Sequence, residues 1–162
     1  MPGTVDKQPP SGLMRAFLRA PIWMYRAKLG WLMGQRFLFL RHIGRKSGAE
    51  RRAVVEVVNY DQAKDCWYVA SGWGEGANWF RNVQAHPDVT ITVGRRTVDV
   101  RGEVIGADEA ARALFAYSQR YPTAYKKLSK MCTGEEQPAT EAGARSFAER
   151  VPMVRFTARS AN

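Results

Sequence analysis

Histidine and cysteine are nearly missing from this chain. Two histidines, His42 and His86, and two cysteines, Cys66 and Cys132, stand among 162 residues. They form no His/Cys/carboxylate cluster with ligand spacing, so no metal centre is expected. Two cysteines admit one pairing and carry no motif. With Cys66 inside the strand-like run Cys-Trp-Tyr-Val-Ala, they suit a reducing cytoplasm and a small core residue better than a disulfide scaffold. No G-x-S-x-G elbow is present and neither cysteine has a nearby His partner in sequence, which leaves hydrolase chemistry weakly supported. Gly72-Trp73-Gly74-Glu75-Gly76 lacks the spacing of G-x-G-x-x-G or of a P-loop and does not open a helix directly. No window approaches the roughly 18 uninterrupted apolar residues of a membrane span, and the N-terminus has no apolar signal core. Acidic residues are the last shortage. With 25 Lys and Arg against 15 Asp and Glu, the net charge is +10. That points to an anionic partner: nucleic acid, a membrane surface or a charged small molecule. Nucleic acid is set aside, because no helix-turn-helix, zinc-finger or RNA-binding signature occurs and the basic residues are dispersed rather than striped.

What remains is an ordinary globular composition at single-domain length. Residues 1–12 read as a disordered, Pro-rich leader. Residues 13–34 read as an amphipathic helical segment broken at Pro21, with Ile22, Tyr25, Leu29 and Leu32 at helical spacing and Arg15, Arg19 and Arg26 on another face. Two readings of residues 13–33 stay open: a helix packed on the end of a barrel, or a basic helix on an anionic membrane with Trp23, Tyr25 and Trp31 as interfacial anchors. Residues 35–159 then read as one barrel domain. Arg36 to Ile43, Arg52 to Tyr60 and Cys66 to Ser71 predict strands, with a hairpin loop between the last two. Asn78 predicts an N-cap for a short helix, Trp79 to Ala85, stopped at His86-Pro87. Val89 to Val93 and Thr97 to Ile105 predict a hairpin about Gly94. Asp108 predicts the cap of a helix to about Arg120; Thr123 to Met131 looks helical again. A polar segment, Gly134 to Gly143, precedes a last strand from Val151 to Thr157. Hairpin-length connections favour a mainly β fold with helices (α+β), in which about six largely antiparallel strands close into a small barrel.

Between the first two strands lies Gly44-Arg45-Lys46-Ser47-Gly48-Ala49-Glu50-Arg51, a glycine-framed turn bearing three cations, with Arg52 beside it. Glycines let a backbone approach a ligand closely, and cations with backbone amides can hold an anion. An anion grip and many aromatics, without a nucleophile or metal site, suggest a borrowed organic cofactor.

Three segments together, Gly44-Arg45-Lys46-Ser47-Gly48 with Arg51, then Ala70-Ser71-Gly72, then Trp79-Phe80-Arg81-Asn82-Val83-Gln84-Ala85-His86-Pro87-Asp88-Val89, resemble the deazaflavin-dependent nitroreductase family. Its pattern runs G-R-x-S-G-x-x-R, A-S-x-G-G and W-x-x-N-L-x-A-N-P-x-V. The resemblance extends from about Phe37 to Tyr125. It implies a split β-barrel that binds coenzyme F420 and passes a hydride to an organic acceptor of quinone, nitro or enone type. Carried over residue by residue, it implies a grip on the phosphate and glutamate tail by Arg45, Lys46, Ser47, Gly48 and Arg51. It implies a ring-side segment at Ala70, Ser71 and Gly72, and further cofactor contacts at Trp79 and Asn82. Trp79 can equally be a core residue and Asn82 a structural hydrogen-bonder. Departures are Gly72 where the nitroreductase has a basic residue, a shorter loop before Trp79, with Arg81 as a replacement contact, and fewer tyrosines at the acceptor pocket. Tyr121 and Tyr125 remain there as candidate proton donors or pocket walls, with Tyr117 a turn earlier. Two alternatives stay open: FMN in the same barrel, or a non-catalytic carrier of lipid or fatty acid. A cytoplasmic protein, peripheral on the inner face of the cell membrane, acting on a small apolar acceptor and possible as a homodimer through an exposed barrel edge, completes the expectations.

Overall fold

A computed structural model describes residues 36–72 and 74–160. The leader and the segment 13–34 expected to be helical lie outside the described residues. Six strands, β1 (Phe37–Ile43), β2 (Glu50–Asp61), β3 (Cys66–Ala70), β4 (Asp88–Val93), β5 (Arg96–Ile105) and β6 (Met153–Ala158), close a barrel in the order β1-β2-β3-β6-β5-β4. Every pairing is antiparallel. The α+β barrel expected from hairpin spacing is therefore what forms. Among the described residues four α-helices accompany it: α1 (Asn78–Ala85), α2 (Ala107–Arg120), α3 (Pro122–Thr133) and α4 (Glu141–Arg150). None is long and apolar enough to cross a membrane among the described residues.

Two cores hold the molecule. Alternate residues of the strands, among them Leu38, Leu40, Val55, Val57, Ile91 and Phe156, point inward, and Trp79, Phe80 and Val83 of α1 close one end of that interior. The second core lies outside the barrel, where Cys66, Tyr68 and Met153 meet Leu114, Tyr117, Tyr125 and Phe147 of the other helices. Cys66 is fully buried and unpaired, as its strand context suggested.

Strand β2 positions the site. Residues Glu50–Glu56 pair with β1, but only Val57–Asp61 pair with β3, across a register shift between Val57 and Asn59. The stretch from Glu50 to Glu56 thus has a strand on one side only among the described residues. Six residue steps at about 3.3 Å each make that free edge about 20 Å long. The barrel is split here.

Three local expectations need correction. Asn78 does not cap α1: the cap position is Ala77, without a side-chain hydrogen bond, because the Asn78 amide faces Arg45 instead. Asp108 lies inside the first turn of α2, whose cap position is Gly106; its carboxylate pairs with Arg145 of α4, which holds it below the usual carboxylate range. Helix α4 was not anticipated. Its signals were Thr140, whose Oγ1 accepts from the Gly143 N–H at 3.0 Å, and the i, i+3, i+4 set Ala144, Phe147 and Ala148, all buried.

Gly143 also explains why the polar segment before α4 is fixed: a Cβ there would collide with the Pro138 carbonyl. The same carbonyl accepts from the Tyr125 hydroxyl at 3.1 Å. Gly143→Ala is expected to destabilise the fold by about 2 kcal/mol, the cost of forcing a methyl against backbone; urea denaturation measures it, and an unchanged midpoint would contradict the packing described.

Candidate functional site

The turn between β1 and β2 is closed by its own backbone. The Gly44 N–H donates to the Ala49 carbonyl and the Gly48 N–H to the Gly44 carbonyl, both at 2.8 Å, and the Ala49 N–H donates to Ser47 Oγ at 3.2 Å. Gly48 has φ 71°, a left-handed conformation that favours glycine over residues with a Cβ. Lys46, Ser47 and Arg51 are exposed and Arg45 is half-buried.

Helix α1 anchors this turn. Asn82 is 3% exposed; its Oδ1 accepts from the Arg45 backbone N–H at 3.0 Å and from Arg45 Nη1 at 2.9 Å. Its Nδ2 faces His42 Nδ1 at 3.1 Å. The two motifs singled out in the sequence are thus joined through one side chain, and His42, which sequence reasoning left without a role, is the third member. Its position at an inward register of β1, cross-strand from Arg51, was the available signal. Burial first, and the Arg51 charge second, lower its pKa from 6.5 to about 4.

Among the described residues, neither Arg45, Lys46 nor Arg51 makes an ion pair with a carboxylate, whereas Arg52 pairs with Glu50 at 3.6 Å. Arg45 is held by neutral amide oxygens, so its charge is oriented but not neutralised. One oriented guanidinium with two exposed cations beside it, none offset by a carboxylate among the described residues, is a donor set for a phosphodiester or a carboxylate chain.

At the far end of the free edge, Ala70 ends β3 opposite Met153. Ser71 is fully buried; its N–H donates to the Pro152 carbonyl at 2.9 Å and its Oγ to the Gly74 carbonyl at 2.7 Å. A Cβ on Gly72 would sit 3.5 Å from Met131 and Cys132, so this loop rests on the end of α3. Trp79 is 9% exposed, edge-on to Phe80 in the barrel core. Arg81 is exposed, and His86 is the C-cap of α1, its N–H on the Asn82 carbonyl.

The tyrosines separate by environment. Tyr125 is fully buried between Tyr117 and Phe147, with its hydroxyl committed to Pro138, and burial raises its pKa. Tyr125 thus exposes no surface to an acceptor and packs the outer core. Tyr121 is half-buried, with the guanidinium groups of Arg36 and Arg120 over its ring at 5.0 and 5.4 Å. Tyr117 donates to Glu56, which Arg36 reaches at 3.5 Å; burial and that hydrogen bond raise the Tyr117 pKa well above its ordinary value.

The family model for F420H(2)-dependent quinone reductase matches residues 17–136. The chain belongs to that family. The deazaflavin resemblance read from the motifs is borne out at the level of the family. A relative from Mycobacterium tuberculosis (strain ATCC 25618 / H37Rv), provisionally named F420H(2)-dependent quinone reductase Rv3178, is 35% identical over 77 residues, covering 46% of this chain and 63% of the relative. The chain thus spans less than two thirds of that relative's length. Two solved structures share the fold. One, described as an F420-H2 dependent reductase, FDR-A, has a TM-score of 0.51 at 16% identity, covering 76% of this chain and 95% of its own. The other, described as a domain-swapped dimer, has a TM-score of 0.51 at 15% identity, covering 84% and 98%.

The buried neutral His42 generates a pH dependence of this quinone reductase family member. Below pH 6.5 the unfolded chain binds a proton at His42 that the folded chain refuses until about pH 4. Stability from this group is fully present above pH 6.5 and lost as pH falls between those values, on the order of 3 kcal/mol in total. Denaturant midpoints measured across that window should fall toward acid, and less steeply in His42→Asn.

Proposed function

We propose that this chain is an F420-dependent oxidoreductase that reduces an organic acceptor of quinone type. The observation that carries the reading is the split beside β2: a free edge about 20 Å long, with three uncompensated cations at one end and the Ser71-Gly72 loop at the other. A ligand touching both ends must be elongated and anionic at one end. A deazaflavin with a phosphate and glutamate tail meets that description. FMN would fill the phosphate position and leave cations beyond it without a partner, and a lipid carrier would need no such grip.

What the cofactor supplies when bound is a hydride at its ring. In this reading Arg45, Lys46, Ser47, Gly48 and Arg51 hold the anionic tail, and Asn82 acts through Arg45. Ala70, Ser71 and Gly72 form the rigid bed of the ring end. Every polar atom of Ser71 described above is committed to backbone, which keeps that bed from shifting. Trp79 supports it from the barrel core. Orientation of this kind is worth several kcal/mol of barrier, on the order of 7–11 at best. Tyr121 walls the acceptor pocket and is the candidate to deliver the proton that completes reduction.

The remaining expectations belong to the same reading. A small apolar acceptor, a cytoplasmic location and contact of residues 13–33 with an anionic membrane surface fit the +10 charge and the aromatic and basic residues of that segment. A homodimer would use the free edge of β2, and one structural neighbour is described as a domain-swapped dimer.

Fluorescence titration with F420, with FMN in parallel, tests the cofactor assignment. Saturable F420 binding is expected, weakened roughly 10- to 100-fold in Arg45→Ala by loss of a charge-assisted contact; binding of FMN alone would sink the reading. Tyr125→Phe is expected to keep its turnover with a menaquinone analogue while losing about 1 kcal/mol of stability with its hydrogen bond. A collapse of turnover in a folded Tyr125→Phe would restore that residue as a proton donor.

A further inference from the structure

His42 has no part in the chemistry above, yet it is 3% exposed and lies two residues before the turn. Its contacts settle which way the Asn82 amide faces. The end of that amide receiving both the Arg45 N–H and Nη1 must be the oxygen. The nitrogen end then faces His42 Nδ1, and an NH2 group only donates, so Nδ1 carries a lone pair. His42 is neutral, with its proton on Nε2.

We propose that His42 is a positioning residue for the anion-binding turn: its neutral imidazole holds the Asn82 amide in the one orientation that lets the oxygen grip both the backbone and the guanidinium of Arg45. This rests on the cofactor reading and deepens it. Protonated at Nδ1, His42 would oppose a donor to a donor. Turning the amide over would relieve that clash but present NH2 to the Arg45 N–H and guanidinium, a second clash. Either way the turn loses its anchor to α1.

The charged surroundings act in the same direction. Arg51 faces His42 from β2, and Arg45 approaches through Asn82 from the turn. From α1 comes only the neutral amide. Glu50 of β2 is engaged by Arg52, and Asp88 of β4 by Arg101 and Arg159. Among the described residues no carboxylate stands ready to stabilise an imidazolium, which would become a third cation beside Arg45 and Arg51. Acidification therefore adds charge at the turn while releasing its geometry, and the relay predicts net loss of anion affinity although the local charge rises. A site governed by charge alone would gain affinity.

Two measurements on the full chain test this. Imidazole nitrogen NMR of the cofactor-free wild type, with His86→Gln to assign the second histidine, is expected to show an unprotonated Nδ1 on His42 near neutral pH. In Asn82→Asp the carboxylate should move the proton onto Nδ1 and raise the His42 pKa. F420 titrations of wild type and His42→Asn, whose Oδ1 takes the place of Nδ1 and does not titrate, are then compared from neutral pH to about pH 4. The wild type is expected to lose about tenfold more affinity than His42→Asn over that range, the scale of one or two hydrogen bonds. A protonated Nδ1 near neutral pH, or parallel affinity profiles, overturns the proposal. Should His42→Asn not fold, the wild type decides alone: its affinity loss must share a midpoint with the His42 titration, and a mismatch overturns the relay. A wild type that binds no F420 at neutral pH overturns the cofactor reading and the ligand side of this proposal together, whereas the Nδ1 signature, read without ligand, tests the relay separately.

Discussion

Strand β2 has two neighbours of unequal reach, and the site follows from that inequality. β1 pairs with its first seven residues and β3 with its last five. Had β3 continued upward, the barrel would close along its whole height and leave no edge. It stops at Ala70: the Ser71 N–H still bonds across to the Pro152 carbonyl on the β6 side, while its Oγ donates to the Gly74 carbonyl and its own carbonyl accepts from the Gly74 N–H, which turns the chain. The chain then runs through the short turn at Gly74–Gly76 into α1, which closes the barrel end. One departure of the backbone thereby opens the edge, makes the loop beside it and delivers the helix that carries Asn82.

The charges are distributed in a way that the net value of +10 hides. Arg96 is tied to Asp65, Arg101 to Asp88, Arg145 to Asp108, Arg150 to Glu135, and Arg155 to Glu103 and Glu109. Exposed pairs of this kind contribute little stability each. Their consequence is that these cations are spoken for, while Arg45, Lys46 and Arg51 meet no carboxylate. That leaves positive charge at the turn open to an anion, as it does at Lys126, Lys127 and Lys130 of α3. Anchoring Arg45 through amide oxygens serves the same end, since an acidic partner would have cancelled the charge it was positioning.

Much of the frame was legible because it rests on local patterning. Strand positions follow from alternation and β-branched runs, the turn from its glycines, the end of α1 from His86-Pro87. The caps at Asn78 and Asp108 were not, since each depends on a partner distant in sequence, and helix α4 was missed although its signals are local. Asn78 and Asp108 have the chemistry of N-caps, but Arg45 and Arg145 compete for their side chains. In α4 a glycine in the first turn and scattered charged residues obscure a short apolar stripe, and the reason for the glycine is the Pro138 carbonyl, which no periodicity reveals. The turn itself was readable as a glycine-framed cluster of cations, whereas the amide that shapes it was readable only as a motif position. Its donors and acceptors needed coordinates.

The three tyrosines show the same division most sharply. Tyr117, Tyr121 and Tyr125 recur at a spacing of four, as residues on one helical face would, yet the α2–α3 break at Tyr121-Pro122 divides them. Tyr117 and Tyr125 turn into the outer core, one hydroxyl on Glu56 and the other on Pro138. Tyr121, at the break, is left half-exposed between Arg36 and Arg120. A buried hydroxyl must find a partner or lose the free energy of an unmade hydrogen bond, so the two core tyrosines are held by partners that substrate chemistry would have to displace. Only the tyrosine at the break avoids that constraint. The break, rather than the spacing, selects which of the three keeps an exposed surface.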